Sequence, residues 1–117
     1  MAADSRQSQL LRGVLDVCLL AVIAERPAYG YEMTRRLTKR GLALVGEGSI
    51  YPVLGRLERD HLIEGFQQAS DGGPPRKYYR LTGRGRTKLR GWAQEWVVLR
   101  LAVDAVLETT DDKGVRE

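Results

Sequence analysis

Apolar residues recur along this chain at two periods, first helical and later alternating. Between residues 9 and 25, Leu11, Val14, Leu15, Cys18 and Val22 follow helical spacing, and Leu10, Val17, Leu20 and Ala24 form a second stripe. The spacing predicts one helix covered on two sides, one of them by a second subunit. Pro27 ends it, because a proline drives its predecessor out of helical backbone. Tyr29, Met33 and Leu37 repeat every four residues and predict a second helix from Ala28 or Tyr29 to Arg40. Glu32, Arg35, Arg36 and Lys39 fall on its outer face, and Gly41 supplies the left-handed residue that commonly closes a helix. A third helix is expected from Ser49, acting as N-cap, to Asp60, with Pro52 third, where its missing N–H costs nothing. Ile50, Val53, Leu54 and Leu57 form its inner face, leaving Ser49, Tyr51, Arg56 and Arg59 at the outer face or ends.

The period then changes. Residues 62–68 read as a short strand, Asp71-Gly72-Gly73-Pro74-Pro75 as a turn-rich tip, and residues 77–81 as the returning strand. Thr82 caps a last helix over roughly 83–108, although Gly83, Gly85 and Gly91 weaken its first turns. In that helix Leu89, Trp92, Trp96, Leu99, Val103 and Val106 are spaced three and four apart, a seam of just over two heptads. Val97, Val98, Leu101 and Leu107 widen it, and residues 109–117 read as a polar, frayed end.

Composition narrows the class. The chain has 117 residues, 43% of them hydrophobic, enough for one core and against disorder. A lone cysteine, Cys18 in an apolar run, excludes a disulfide scaffold and a cysteine-rich zinc site. Residues 1–6 do not resemble a signal peptide, and the apolar run from Val14 to Ala24 is too short to span a bilayer. A soluble cytoplasmic protein without a membrane partner is expected. The net charge of +4 decides little until it is located. Residues 1–68 are almost balanced, and residues 91–117 carry a net of −3. Residues 69–90 hold Arg76, Lys77, Arg80, Arg84, Arg86, Lys88 and Arg90 against the single acid Asp71. Read alone, such a run is a solvated face as readily as a binding surface.

The element order supplies the context. Three helices, a basic hairpin and a long helix describe a mainly α fold with a small β-hairpin: a winged helix-turn-helix over 9–82 and a dimerisation helix over 83–108. In that architecture the third helix leads into the major groove, and a basic wing meets the phosphates of double-stranded DNA. An enzyme is not indicated: the sequence presents no nucleophile–base pair, phosphate-cradling loop, metal cluster or cofactor motif, and His61 is the only histidine. A winged-helix module for protein contacts is the alternative, and it predicts an uncharged or acidic wing.

Ala28-Tyr29-Gly30-Tyr31-Glu32-Met33, Gly48-Ser49-Ile50-Tyr51-Pro52-Val53-Leu54, Leu57-Glu58-Arg59-Asp60 and Arg76-Lys77-Tyr78-Tyr79-Arg80-Leu81-Thr82 closely resemble the PadR family of bacterial transcriptional regulators. The resemblance covers roughly residues 9–108 and points to the short subfamily with one C-terminal helix. It implies a homodimeric repressor whose last helix packs against the partner's first, with Leu11, Leu15, Leu89, Trp96, Leu99, Val103 and Val106 at the interface. It implies that Ser49, Tyr51 and Arg56 face DNA and that Arg76 and Lys77 lie near phosphates or the minor groove. Tyr79 is counted with them, although strand alternation lets only one of Tyr78 and Tyr79 face DNA and does not say which. Some relatives bind planar aromatic compounds between tryptophans at the dimer centre, so Trp92 and Trp96 either hold a small aromatic effector or only pack the dimer. His61 departs from the glycine usual at this position; a left-handed backbone is expected there, which histidine tolerates at a cost.

Overall fold

A computed structural model of the chain describes residues 6–42 and 46–109, with the side chains of Glu47 and Thr109 set aside. Of the polar end expected at 109–117, residues 110–117 lie outside the described residues. The order is α1 (Arg6–Arg12), α2 (Leu15–Glu25), β1 (Ala28–Tyr29), α3 (Gly30–Lys39), α4 (Glu47–Arg59), β2 (Ile63–Ser70), β3 (Gly73–Leu81) and α5 (Gly83–Thr109). The strands form one antiparallel sheet in the order β1-β3-β2. The fold is mainly helical, as expected, with the hairpin projecting as a wing.

The core lies where the helical stripes meet the inner face of the sheet. Leu19, Leu20, Met33, Ile50, Leu54, Leu62 and Ile63 are fully buried. The single helix expected over 9–25 is two helices bent by 62°. Gly13 is a weak helix former, and the amides of Gly13 and Val14 turn to three-residue bonds with Leu10 and Leu11. The bend sends Leu15 inward, to 5% exposure, while Leu10 stays out at 60%. Leu15 is therefore a core residue, not the interface residue expected. Leu11 and Leu89 are half-buried against the same core.

The second helix starts later than its apolar spacing predicts. Ala28 and Tyr29 pair with Tyr79 and Tyr78 as β1, and the helix begins at Gly30. Tyr29 thus sits on the outer face of the sheet, while Met33 and Leu37 keep their inward positions. Arg36, expected outside, is also turned in. It donates to the Val22 carbonyl and pairs with Glu25, clamping α3 to the end of α2. Arg40 joins the same carboxylate at 2.8 Å, and its hydrogen bond chiefly holds the Glu25 carboxyl down to about 2.

Both loop-facing helix ends close as their residues require. After α3, Gly41 has φ +107 and Leu42 N–H reaches back to the Leu37 carbonyl at 3.0 Å. After α4, His61 has φ 62 and Leu62 N–H bonds the Leu57 carbonyl at 2.9 Å. The left-handed histidine is borne out. Ser49 is not the N-cap: α4 starts at Glu47, and extended Gly46 precedes it and accepts the Ser49 amide. Pro52 therefore lies deeper in the helix than expected, and it has no N–H for the Gly48 carbonyl.

Thr82 caps α5 as expected, accepting the Gly85 amide at 2.9 Å while its hydroxyl lies 2.7 Å from the His61 carbonyl. At 27 residues, α5 is roughly 40 Å long at about 1.5 Å per residue. Its first turns pack on α2 and β3 through Leu89 and Trp92; the rest projects. The radius of gyration is accordingly 17.0 Å, against about 13 Å for a compact chain of this length. Among the described residues no single helix is long and apolar enough to cross a membrane.

Candidate nucleic-acid interface

Helix α4 buries Ile50, Val53, Leu54 and Leu57 on one side. At 3.6 residues per turn the opposite strip is Gly48, Pro52, Gly55 and Arg59, with Ser49 and Arg56 on one flank and Tyr51 on the other. Ser49, Tyr51, Arg56 and Arg59 are all exposed. The small residues let another backbone approach closely, and Arg59 folds back to within 3.6 Å of where a Cβ on Gly55 would stand. Periodicity alone puts Arg59 on the outer face; counting turns from the four buried residues places it at the centre.

Tyr51 is not a free side chain. A Cβ on Gly30 would lie 2.5 Å from its hydroxyl oxygen, so the absence of a side chain at the start of α3 makes room for the tyrosine. This contact interlocks the two helices of the turn motif.

Strand alternation splits the wing cations between two faces. The inner face carries Ile63, Leu81, Gly65, Tyr79, Gln67 and Lys77, and the outer face Glu64, Arg80, Phe66, Tyr78, Gln68 and Arg76. Tyr79 is 7% exposed and belongs to the core, so the expectation that it meets DNA is withdrawn. Tyr78 takes the outer face, edge-on to Tyr29 at 5.2 Å and stacked with Phe66 at 5.9 Å. The Arg76 guanidinium lies 4.6 Å from the Tyr29 ring centre, and Arg80 lies 4.1 Å from that of Phe66. Arg76 is thereby seated on the outer face of the sheet, against β1.

Lys77 does not stand beside Arg76 as expected. Its ammonium donates to Glu58 of α4 at 3.2 Å, which raises the lysine above its ordinary range. Arg80 is paired with Glu64 at 3.2 Å, and Arg26 with Glu32 at 3.7 Å. Among the described residues, Arg56, Arg59, Arg76, Arg84, Arg86, Lys88 and Arg90 have no carboxylate within ion-pair distance. Arg6 on α1 and Arg35 and Lys39 on α3 also lack one, and the rest of the uncompensated positive charge lies on α4, the outer wing and the start of α5.

The two tryptophans differ. Trp92 is half-buried against the core, whereas Trp96 is 43% exposed. Trp96 forms a wall of two cavities. One, of about 390 Å³, is lined by Leu10, Leu11, Val14 and Leu42; the other, of about 320 Å³, also touches Trp92, Glu95 and Leu99.

These features define a winged helix-turn-helix DNA-binding protein. Residues 19–91 match the model of the transcriptional regulator PadR-like family, and the chain belongs to that family. It is 35% identical over 78 residues to transcriptional regulator Rv3488 of Mycobacterium tuberculosis, covering 67% of this chain and 71% of that one. Among solved structures it is similar to a PadR-like transcriptional regulator from Bacillus cereus, with 44% identity and a TM-score of 0.78 over 86% of this chain and 97% of that one. A PadR family regulator from Eggerthella lenta gives 37% identity and a TM-score of 0.75, over 86% and 88% of the two chains. The family is one of transcriptional regulators.

Proposed function

We propose that the chain is a cytoplasmic repressor that binds a palindromic operator as a homodimer and is released by a small planar aromatic ligand. The observation that carries DNA binding is the set of cations without a carboxylate in ion-pair distance, Arg56 and Arg59 exposed on α4 and Arg76 on the outer face of the wing. In this reading α4 lies in the major groove with Ser49, Tyr51, Arg56 and Arg59 toward the bases and backbone, and Arg76 meets a phosphate. The division at residues 82 and 83 separates the DNA-binding unit from the helix that joins two copies.

The homodimer rests on the far part of α5. Trp96, Val97, Val98, Leu99, Leu101, Val103, Val106 and Leu107 are between 40% and 69% exposed, an apolar stripe larger than monomeric proteins usually leave to water. A second copy covers it symmetrically and sets two recognition helices facing the same side of a duplex. Trp96 then closes the cavities it already borders, where a flat aromatic molecule would stack on its ring. The experiment is sedimentation with the double variant Leu99→Asp/Val103→Asp. The wild type should run as a dimer, and the variant as a folded monomer with sharply weakened binding to duplex DNA. A monomeric wild type would remove the proposed role of α5. Quenching of tryptophan fluorescence by planar aromatic compounds, absent in Trp96→Ala, would support the ligand site.

A further inference from the structure

The outer half of the wing has little to hold it. Beyond Phe66 on β2 and before Tyr78 on β3 the backbones pair only with each other and the residues are largely exposed, so the side chains of Arg76, on Tyr29, and Lys77 are what tie this half to the body. The last rung before this free half is the Phe66–Tyr78 pair, and three elements meet at its neighbour, the Gly65–Tyr79 pair. Lys77 comes back along the inner face, its ammonium 5.2 Å from the centre of the Tyr79 ring, and reaches Glu58 on α4 at 3.2 Å. Its stem occupies the space that a side chain at residue 65 would need. A Cβ on Gly65 would lie 2.3 Å from Lys77 Cε and 3.1 Å from a Glu58 carboxylate oxygen.

We propose that Lys77, Glu58 and Gly65 form a lock that fixes the angle of the wing against the recognition helix, making Glu58 a positioning residue for DNA binding. Lys77 acts through Glu58, and Arg76, on the opposite face, carries the phosphate contact. An unlocked wing would spread Arg76 over many positions, and binding would have to restore the order. The effect on affinity rests on the DNA-binding reading; the lock itself does not.

The lock makes an expectation opposite to that of net charge. Removing a carboxylate ordinarily strengthens binding to a polyanion. Glu58→Gln should instead weaken it, by about two- to fivefold per wing, the range of a half-exposed ion pair. The test measures full-length protein against a labelled random-sequence duplex over a salt series, with Glu58→Gln, Lys77→Gln and the charge-swapped Glu58→Lys/Lys77→Glu. The lock predicts weaker binding in both single variants, an unchanged slope of log affinity against log salt, and recovery in the swap. Unchanged or tighter binding by Glu58→Gln, or a flatter slope in Lys77→Gln with no recovery in the swap, overturns it in favour of Lys77 as a phosphate contact. Amide hydrogen exchange over residues 66–77 reads the lock without DNA. Faster exchange in Glu58→Gln supports it and unchanged exchange overturns it, even if the wild type binds no duplex and the DNA reading itself falls.

Discussion

Replacing Arg76 by alanine isolates the wing's electrostatic contribution. Its guanidinium is seated 4.6 Å from the centre of the Tyr29 ring and has no carboxylate partner among the described residues. Its charge is therefore free to displace counterions from DNA. Each phosphate neutralised contributes about 0.9 to the slope of log affinity against log salt, so two copies in a dimer contribute about 1.8. From about 50 to about 200 mM salt, this difference narrows the gap between wild type and Arg76→Ala about tenfold. Fluorescence anisotropy titrations at several salt concentrations measure it directly. Arg76→Lys serves as the control: it keeps the charge and should keep the slope while losing the planar stack on Tyr29. Parallel lines for wild type and Arg76→Ala would refute the reasoning, because an arginine that displaces no counterion touches no phosphate.

Three further predictions concern the frame that holds this surface. In Gly85→Ala the new methyl would lie 2.0 Å from the Leu62 carbonyl oxygen, a backbone atom with nowhere to go; a loss of about 3 kcal/mol is expected in urea unfolding, and an unchanged midpoint would contradict it. His61→Gly relieves the left-handed backbone at φ 62 and should gain about 1 kcal/mol after the greater freedom of the unfolded glycine is deducted, with a destabilised variant arguing against strain there. Glu25 is held down to about 2 by Arg40 and Arg36, from an ordinary value of 4.5. A depressed carboxyl stabilises the fold above its unfolded value and loses that contribution as pH falls through its folded one. The stability difference between wild type and Glu25→Gln should thus be constant above about pH 5 and fade toward pH 2, staying under about 1 kcal/mol because the pair is solvent-exposed; a difference that does not change with pH would contradict the ion pair.

Much of the frame was legible in local chemistry. The inner stripe Ile50, Val53, Leu54 and Leu57, the Thr82 cap and the left-handed Gly41 and His61 all follow from residue type and short-range spacing. What stayed hidden depends on distant partners. Apolar residues continue across Gly13, so periodicity runs smoothly over a break that packing imposes. Strand β1 is two residues long, too short to alternate, and exists only because Tyr78 and Tyr79 lie beside it. Basic residues invite an outward reading, yet Arg36 turns toward Glu25, eleven residues back on α2, and Lys77 toward Glu58, nineteen residues back on α4. Tyr79 shares strand parity with Leu81, so an inward Leu81 already implied an inward Tyr79 and assigned the outer face to Tyr78.

The central claim is a two-fold symmetric reader of DNA, and selection of bound sequences from a random duplex pool tests it most directly. The proposed dimer predicts an enriched inverted repeat whose half-sites are centred about one helical turn, roughly 34 Å, apart. Enrichment of a single unpaired half-site, or of no sequence at all, would contradict it.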